Sequence, residues 1–292
     1  MAYQNFIPTV WNAGIDRELE RHCVFVEDCN TKYEGKVKEK GESVKILGVG
    51  KPTIKSLAKA NRNNDIDAPE TIEDTSVIMY INQIRYFNYM VGDIDKAQAE
   101  GGIMDALEAE TSEGLANEVD KYIASFAVDS SVAKLYSDPV SVKASEDEVS
   151  ATTDKYVLDI IDEAIEKLQE NDVQSTTKVV ITISPKFFRR FKKAYRTEDT
   201  DNSKILKHGK VAEYGNVVVK VSNNVHKTTS GSDTIENIMI RTQRAIAYAK
   251  PLTHSEPYRP EKKFADAVKG FILFDAKVVR PKEVININVK YA

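Results

Sequence analysis

Cysteine is nearly absent from this chain: 292 residues contain only Cys23 and Cys29. Two thiols cannot form the disulfide framework that replaces a core in small secreted domains, so stability must come from packing, and reduced, buried thiols are expected. Histidine is equally sparse. His208, His226 and His254 stand in polar contexts, and neither an HExxH helix nor a GxSxG elbow occurs, which removes the usual zinc-hydrolase and serine-hydrolase signatures. His22, Cys23 and Cys29 supply three donors without a second pair at finger spacing, so no metal site and no cofactor is expected. The glycines of Gly48-Val49-Gly50-Lys51-Pro52 lack the GxxxxGK[ST] spacing and predict a turn rather than a phosphate cradle. No run of eighteen apolar residues exists, nor a basic start followed by an apolar stretch, so neither a membrane partner nor a secretory signal is expected, and the compartment reads as cytoplasmic. Excess positive charge is missing too. With 41 basic against 45 acidic residues the net charge is −4, so any contact with nucleic acid should be weak and local.

What the chain does have is enough apolar residue, 41%, for one large core or two modest ones. Its longest stretch of helical logic runs from Asp93 to Val128. Met104, Leu107, Thr111, Leu115, Val119, Tyr122 and Phe126 recur every three or four residues, while Asp105, Glu108, Glu110, Glu113, Glu118 and Asp120 fill other positions. This pattern predicts one long spine helix lying on a sheet along one side, with its acidic side turned to water or to a neighbour. Upstream, Trp11 sits in a terminal segment without a local partner of matching periodicity and is a candidate intersubunit contact. Lys36–Leu47 reads as a hairpin turning at Gly41, and residues 55–70 as a polar, poorly fixed tip whose Lys55, Lys59 and Arg62 are further candidate intersubunit contacts. Ser76–Val91 is β-branched and aromatic, long for a single strand.

Downstream the pattern is that of an α/β body. Thr152 or Thr153 is placed to cap a helix carrying Val157, Ile160, Ile161, Ala164, Ile165 and Leu168 on one face. Lys178–Ile183, Asn216–Val221 and Asn237–Ile240 read as strands, with a helix from Pro185 to Tyr195 between the first two. That helix gathers Phe187, Phe188, Phe191 and Tyr195 on one side. Arg189, Arg190, Lys192 and Lys193, with Lys186 and Arg196, lie on the other and form a candidate DNA-facing or neighbour-facing surface; Glu198, Asp199 and Asp201 follow at once and favour solvent or a neighbouring subunit over DNA. Gly270–Phe274, Lys277–Val279 and Val284–Tyr291 alternate as antiparallel strands do and are expected to return beside the spine helix.

In order along the chain, MAYQNFIPTVWNAGIDRELER, YEGKVKEKGESVKI, YFNYMVGDIDKAQAEGGIMDALEAE and the closing FADAVKGFILFDAKVVRPKEVININVKY resemble the major capsid proteins of tailed bacteriophages with the HK97-type fold. The resemblance spans nearly the whole chain. It implies an α+β fold with an N-terminal arm (residues 1–32), an extended β-hairpin loop (33–92), a peripheral domain with the spine helix and closing strands (93–131 and 252–292) and an axial domain (132–251). It further implies a coat protein that partners itself in hexamers and pentamers, a portal protein and weakly held double-stranded DNA, and no catalytic residue. The location implied is the virion capsid, with assembly in the host cytoplasm. The first apolar cluster, Phe6, Ile7, Val10 and Trp11, starts so near Met1 that a separate scaffolding protein is expected, with no large proteolytic trimming. The same fold also builds protein storage nanocompartments, which is the alternative; a soluble α/β enzyme with an unrecognised site is the other.

Overall fold

The computed structural model describes residues 23–32, 43–49, 54, 56, 74–92, 103–197, 211–214, 217–231 and 233–291. Strand β1 (Ser43–Val49) pairs antiparallel with β2 (Asp74–Tyr80) in a sheet of their own. β1 overlaps the second strand expected of the Lys36–Leu47 hairpin, and Gly48 and Val49, read as part of a turn, belong to it. The Gly41 turn and the tip with Lys55, Lys59 and Arg62 lie outside the described residues, as does Trp11. The aromatic-rich stretch to Val91 is two strands: the chain leaves β2, passes Ile81 and Asn82, and continues as β3 (Gln83–Gly92) in a different sheet. The Asn82 N–H finds the Asp275 carboxylate at 3.1 Å, which fixes that changeover.

The spine is helix α1 (Ile103–Ser125), ending in a 3₁₀ turn over Phe126–Val128; the expected first residues, 93–102, lie outside the described set. Its buried line is Leu115, Ala116, Val119, Ile123, Ala124 and Ala127, joined by Ser112 and Asp120. Asp120 thus departs from the expected acidic outer side. It turns inward because two backbone N–H groups of the N-terminal segment need an acceptor there.

The largest sheet collects nine strands. After β4 (Ala133–Lys134) and β5 (Val140–Lys143), β6 (Asp154–Tyr156) pairs parallel with β5 and leads into α2 (Val157–Glu170). The pairing draws residues 154–156 into the sheet, so Tyr156, not Thr152 or Thr153, stands at the helix N-cap. α2 closes on Asp172 in the left-handed region (φ 65°), with Val173 N–H bonded to the Leu168 carbonyl and both side chains in the core. Next come β7 (Val179–Ile183) and α3 (Pro185–Thr197); the Phe187 N–H donates to Ser184 Oγ at 3.2 Å, a cap preceding Pro at the first helical position. β8 (Val211–Tyr214), β9 (Val217–Val221), β10 (His226–Ser230) and β11 (Asp233–Thr242) follow. The long pair β12 (Ile246–Tyr258) and β13 (Ala265–Val278) runs antiparallel in a three-stranded sheet with β3, and β14 (Val284–Lys290) ends the chain.

The nine-stranded order is β6-β5-β14-β11-β7-β9-β8, with β10 on β11 and β4 on β14. β14, expected to flank the spine helix with β13, reaches that helix through Val284 and is at the same time a central strand of this sheet, because its alternation buries both faces. Ile285, Ile287 and Val289 meet Val157, Ile160 and Phe187 under α2 and α3, whereas Val284 joins Leu115, Val119 and Ile123 under α1. Along β11, Ile238 and Ile240 take the first side and Met239 the second. A third, smaller cluster packs the β1–β2 hairpin, through Val44, Ile46 and Met79, on Ala247 and Ala249 of β12.

Candidate functional site

Among the described residues, three regions gather the charged and exposed groups of interest. The first is the outer side of α3. Phe187 and Phe191 are fully buried, which turns the opposite side of the helix outward. The expected basic residues are brought together there: Phe188, Arg189, Arg190, Lys192 and Lys193 line a cleft of about 670 Å³ with Ala144, Glu148 and Pro185. Several of these cations have intramolecular uses. Lys193 Nζ lies 2.7 Å from Glu148 Oε1, the Arg190 guanidinium stacks 4.8 Å from the centroid of Tyr291, and Lys192 lies 5.6 Å over Phe188. Tyr291 is itself anchored, donating to Glu236 at 2.7 Å and lying 3.0 Å from the Ser184 hydroxyl. Burial first, then the Glu236 carboxylate, pushes its phenol pKa up. A ridge whose cations rest on rings and carboxylates is pre-shaped but partly neutralised, which suits weak rather than tight phosphate contact.

The second surface went unrecognised in the sequence. Strand register places Leu252, His254, Glu256 and Tyr258 beside Leu273, Phe271, Lys269 and Ala267, and these beside Ile84, Tyr86, Asn88 and Met90, on one face of the three-stranded sheet. Tyr86 is 81% exposed, and Ile84, Met90 and Leu252 are about half exposed. Its other face packs through Phe87, Ile272 and Phe274 on the core under α1. The available signal was apolar residues at both parities of Ile84–Met90, which a single half-buried strand does not need.

The third is the seat of the N-terminal segment. Asp120 accepts the Val24 and Phe25 N–H groups at 2.9 and 3.0 Å, and Arg241 donates to the Phe25 carbonyl at 2.7 Å while lying over its ring. Lys220 Nζ stands 2.6 Å from both Glu27 and Asp28. Asn30 bonds both ways with β12, to Ile246 and Tyr248. Burial raises the Asp120 carboxyl to about 6 against the pull of the two N–H groups and of Arg241. Cys23 and Cys29 are free and buried in this seat, where burial pushes the Cys29 thiol up to about 11, the reverse of an activated thiolate.

No protein-family model and no curated protein matches the sequence. Solved structures do. A protein of Mycobacterium phage Che8 is 25% identical, with 90% of each chain covered and a TM-score of 0.71. The capsid of cyanophage P-SCSP1u aligns at 13% identity over 87% of this chain and 85% of its own, TM-score 0.60. A virus-like particle from Pyrococcus furiosus aligns at 11% identity over 97% of this chain and 99% of its own, TM-score 0.58. The spine helix, the long antiparallel sheet beside it and the nine-stranded body with two helices therefore form the HK97-type fold of tailed-bacteriophage major capsid proteins.

Proposed function

We propose that the chain is a structural shell subunit that assembles through hexamers and pentamers into an icosahedral capsid around a phage double-stranded DNA genome. The observation that carries this reading is the likeness to the Che8 phage protein over 90% of both chains. The exposed Ile84, Tyr86, Met90 and Leu252 on the outer face of the three-stranded sheet support it, since large apolar side chains grouped on one exposed face suit contact with another protein. Under this reading residues 1–32 are the arm, 33–92 the extended loop, 93–131 with 252–292 the peripheral domain, and 132–251 the axial domain. Trp11, Lys55, Lys59 and Arg62 are intersubunit contacts. A separate scaffolding protein and a portal protein are the partners, and DNA touches the wall weakly.

The test is electron microscopy with solution mass, on the protein alone and with a co-expressed scaffolding partner. Capsomer-sized oligomers or closed shells are expected. A monomer or small dimer in every condition overturns the proposal. Particles that close without a portal vertex and carry a protein cargo instead of DNA would establish the storage-shell alternative.

A further inference from the structure

Helices α2 and α3 lie side by side on one face of the nine-stranded sheet and carry ridges of opposite charge. On α2, opposite the buried Val157, Ile160, Ile161, Ala164 and Leu168, stand Asp159, Asp162, Glu163, Glu166 and Glu170, at i, i+3, i+4, i+7 and i+11. On α3, opposite Phe187, Phe191 and Ala194, stand Lys186, Arg189, Arg190 and Lys193, at i, i+3, i+4 and i+7. Asp159, Asp162 and Glu166 are exposed, as are Lys186, Arg189 and Lys193. Each ridge has a single sign over at least two helical turns, and such a row repels itself within the subunit. Ion pairs that relieve it in part include Glu163 to Lys155 at 2.6 Å, Glu170 to Lys167 at 2.6 Å and Lys193 to Glu148 at 2.7 Å.

We infer that the basic ridge of α3 and its adjoining cleft dock the acidic α2 ridge of a second copy of this chain. Charge complementarity selects this occupant. The spacing is the same on both helices, so carboxylates and cations can alternate along one contact, and the chain as a whole is not basic enough to make DNA the stronger partner. Because the two ridges are different patches, the contact is heterologous: it links copies head to tail and closes into a ring when the rotation permits. The stacking of Arg190 and Lys186 on Tyr291, at 4.8 and 5.8 Å, holds part of the ridge in place before docking. The inference rests on the shell reading and names the recognition that would bring neighbouring subunits into register.

Charge reversal tests it on the full chain. Lys186→Glu with Arg189→Glu should raise the concentration needed for capsomer formation roughly ten-fold or more. Asp159→Lys with Glu166→Lys should do the same. The four substitutions together in one chain should recover part of the lost assembly, because each reversed pair then meets a reversed pair, while Arg190, Lys193, Asp162, Glu163 and Glu170 keep their signs. Thermal melting of each variant reports its fold, and the milder pair Arg189→Gln and Glu166→Gln, which cannot create repulsion, should weaken assembly in the same direction. High salt should dissociate the parent oligomer. A Lys186→Glu/Arg189→Glu chain that assembles as readily as the parent overturns the pairing and leaves the shell reading intact. So does one that keeps assembly and loses only binding to a short DNA duplex, which would make nucleic acid the occupant. A folded four-fold variant that assembles no better than either double variant also overturns the pairing. A parent chain that never assembles overturns the shell reading itself.

Discussion

Two interiors lie back to back across the nine-stranded sheet, and they are built on different principles. The one under α2 and α3 is lined by aliphatic and aromatic side chains, from Val142 and Ile160 to Phe187, Phe191 and Ile287, with the buried Glu236 carboxylate at its edge held by Tyr291. The one under α1 mixes Val119, Ile123 and Phe274 with the buried charges of Asp120 and Arg241. The first joins two strand-and-helix stretches, residues 154–170 and 179–197, to the distant strand β14 through apolar contact. The second is closed by a segment whose Val24 lies 96 positions from the carboxylate that receives it. An apolar core can tolerate exchange among similar shapes, whereas a charged seat accepts one partner geometry, so the first interior supplies stability and the second fixes where the N-terminal segment goes.

The largest effect should come from cutting into the first interior. Phe191→Ala removes a fully buried ring at the α3–sheet contact and should destabilise by about 3–5 kcal/mol in urea unfolding. Breaking the second should cost less and act locally. Asp120→Ala leaves the buried Phe25 N–H and the half-buried Val24 N–H without their acceptor, at about 1–3 kcal/mol in all, and exposes residues 23–30 to hydrogen exchange well before the sheet.

The same carboxylate gives a pH signature that the apolar interior cannot. Its folded value of about 6 exceeds the usual 3.8, so the folded state holds the proton more tightly than the unfolded chain does. Its contribution is therefore greatest below about pH 4 and is lost as pH rises through about 6, a change on the order of 3 kcal/mol. Asp120→Asn should flatten the stability profile across that window, measured by denaturation at closely spaced pH. Glu283 runs the other way. Although burial alone would raise it, the Thr242 hydroxyl, Arg244 and Arg280 hold its pKa below the usual value, so its contribution falls as pH drops through that lowered range.

Smaller still is the response of the three-stranded sheet. A Cβ at Gly270 would lie 2.5 Å from the Phe87 ring and 2.7 Å from the His254 carbonyl, so Gly270→Ala should cost about 1–3 kcal/mol. Adding Phe87→Ala removes the ring but not the carbonyl, and a double-mutant cycle should show partial recovery. The smallest effect is expected of Lys193→Gln, which breaks an exposed pair with Glu148 and should leave the melting curve unmoved.

The sequence by itself determined the elements whose burial is local and periodic. The stripe of α2, the helix beginning at Pro185 and the runs at 179–183 and 217–221 were legible because side-chain period alone decides which face is buried. The basic side of α3 was legible for the same reason. Tertiary structure decided the rest. Asp120 reads as a surface acid on any helical wheel, and only the arrival of Val24 and Phe25 makes it an internal acceptor. β14 reads as one more closing strand, and only its place between β11 and β5 shows that it belongs to both interiors. The outer face of β3, β13 and β12 emerges only when the register aligns Ile84 with Leu273 and Leu252. Periodicity is a property of neighbours along the chain, while acceptors, registers and shared faces are properties of segments that meet only once the chain has folded.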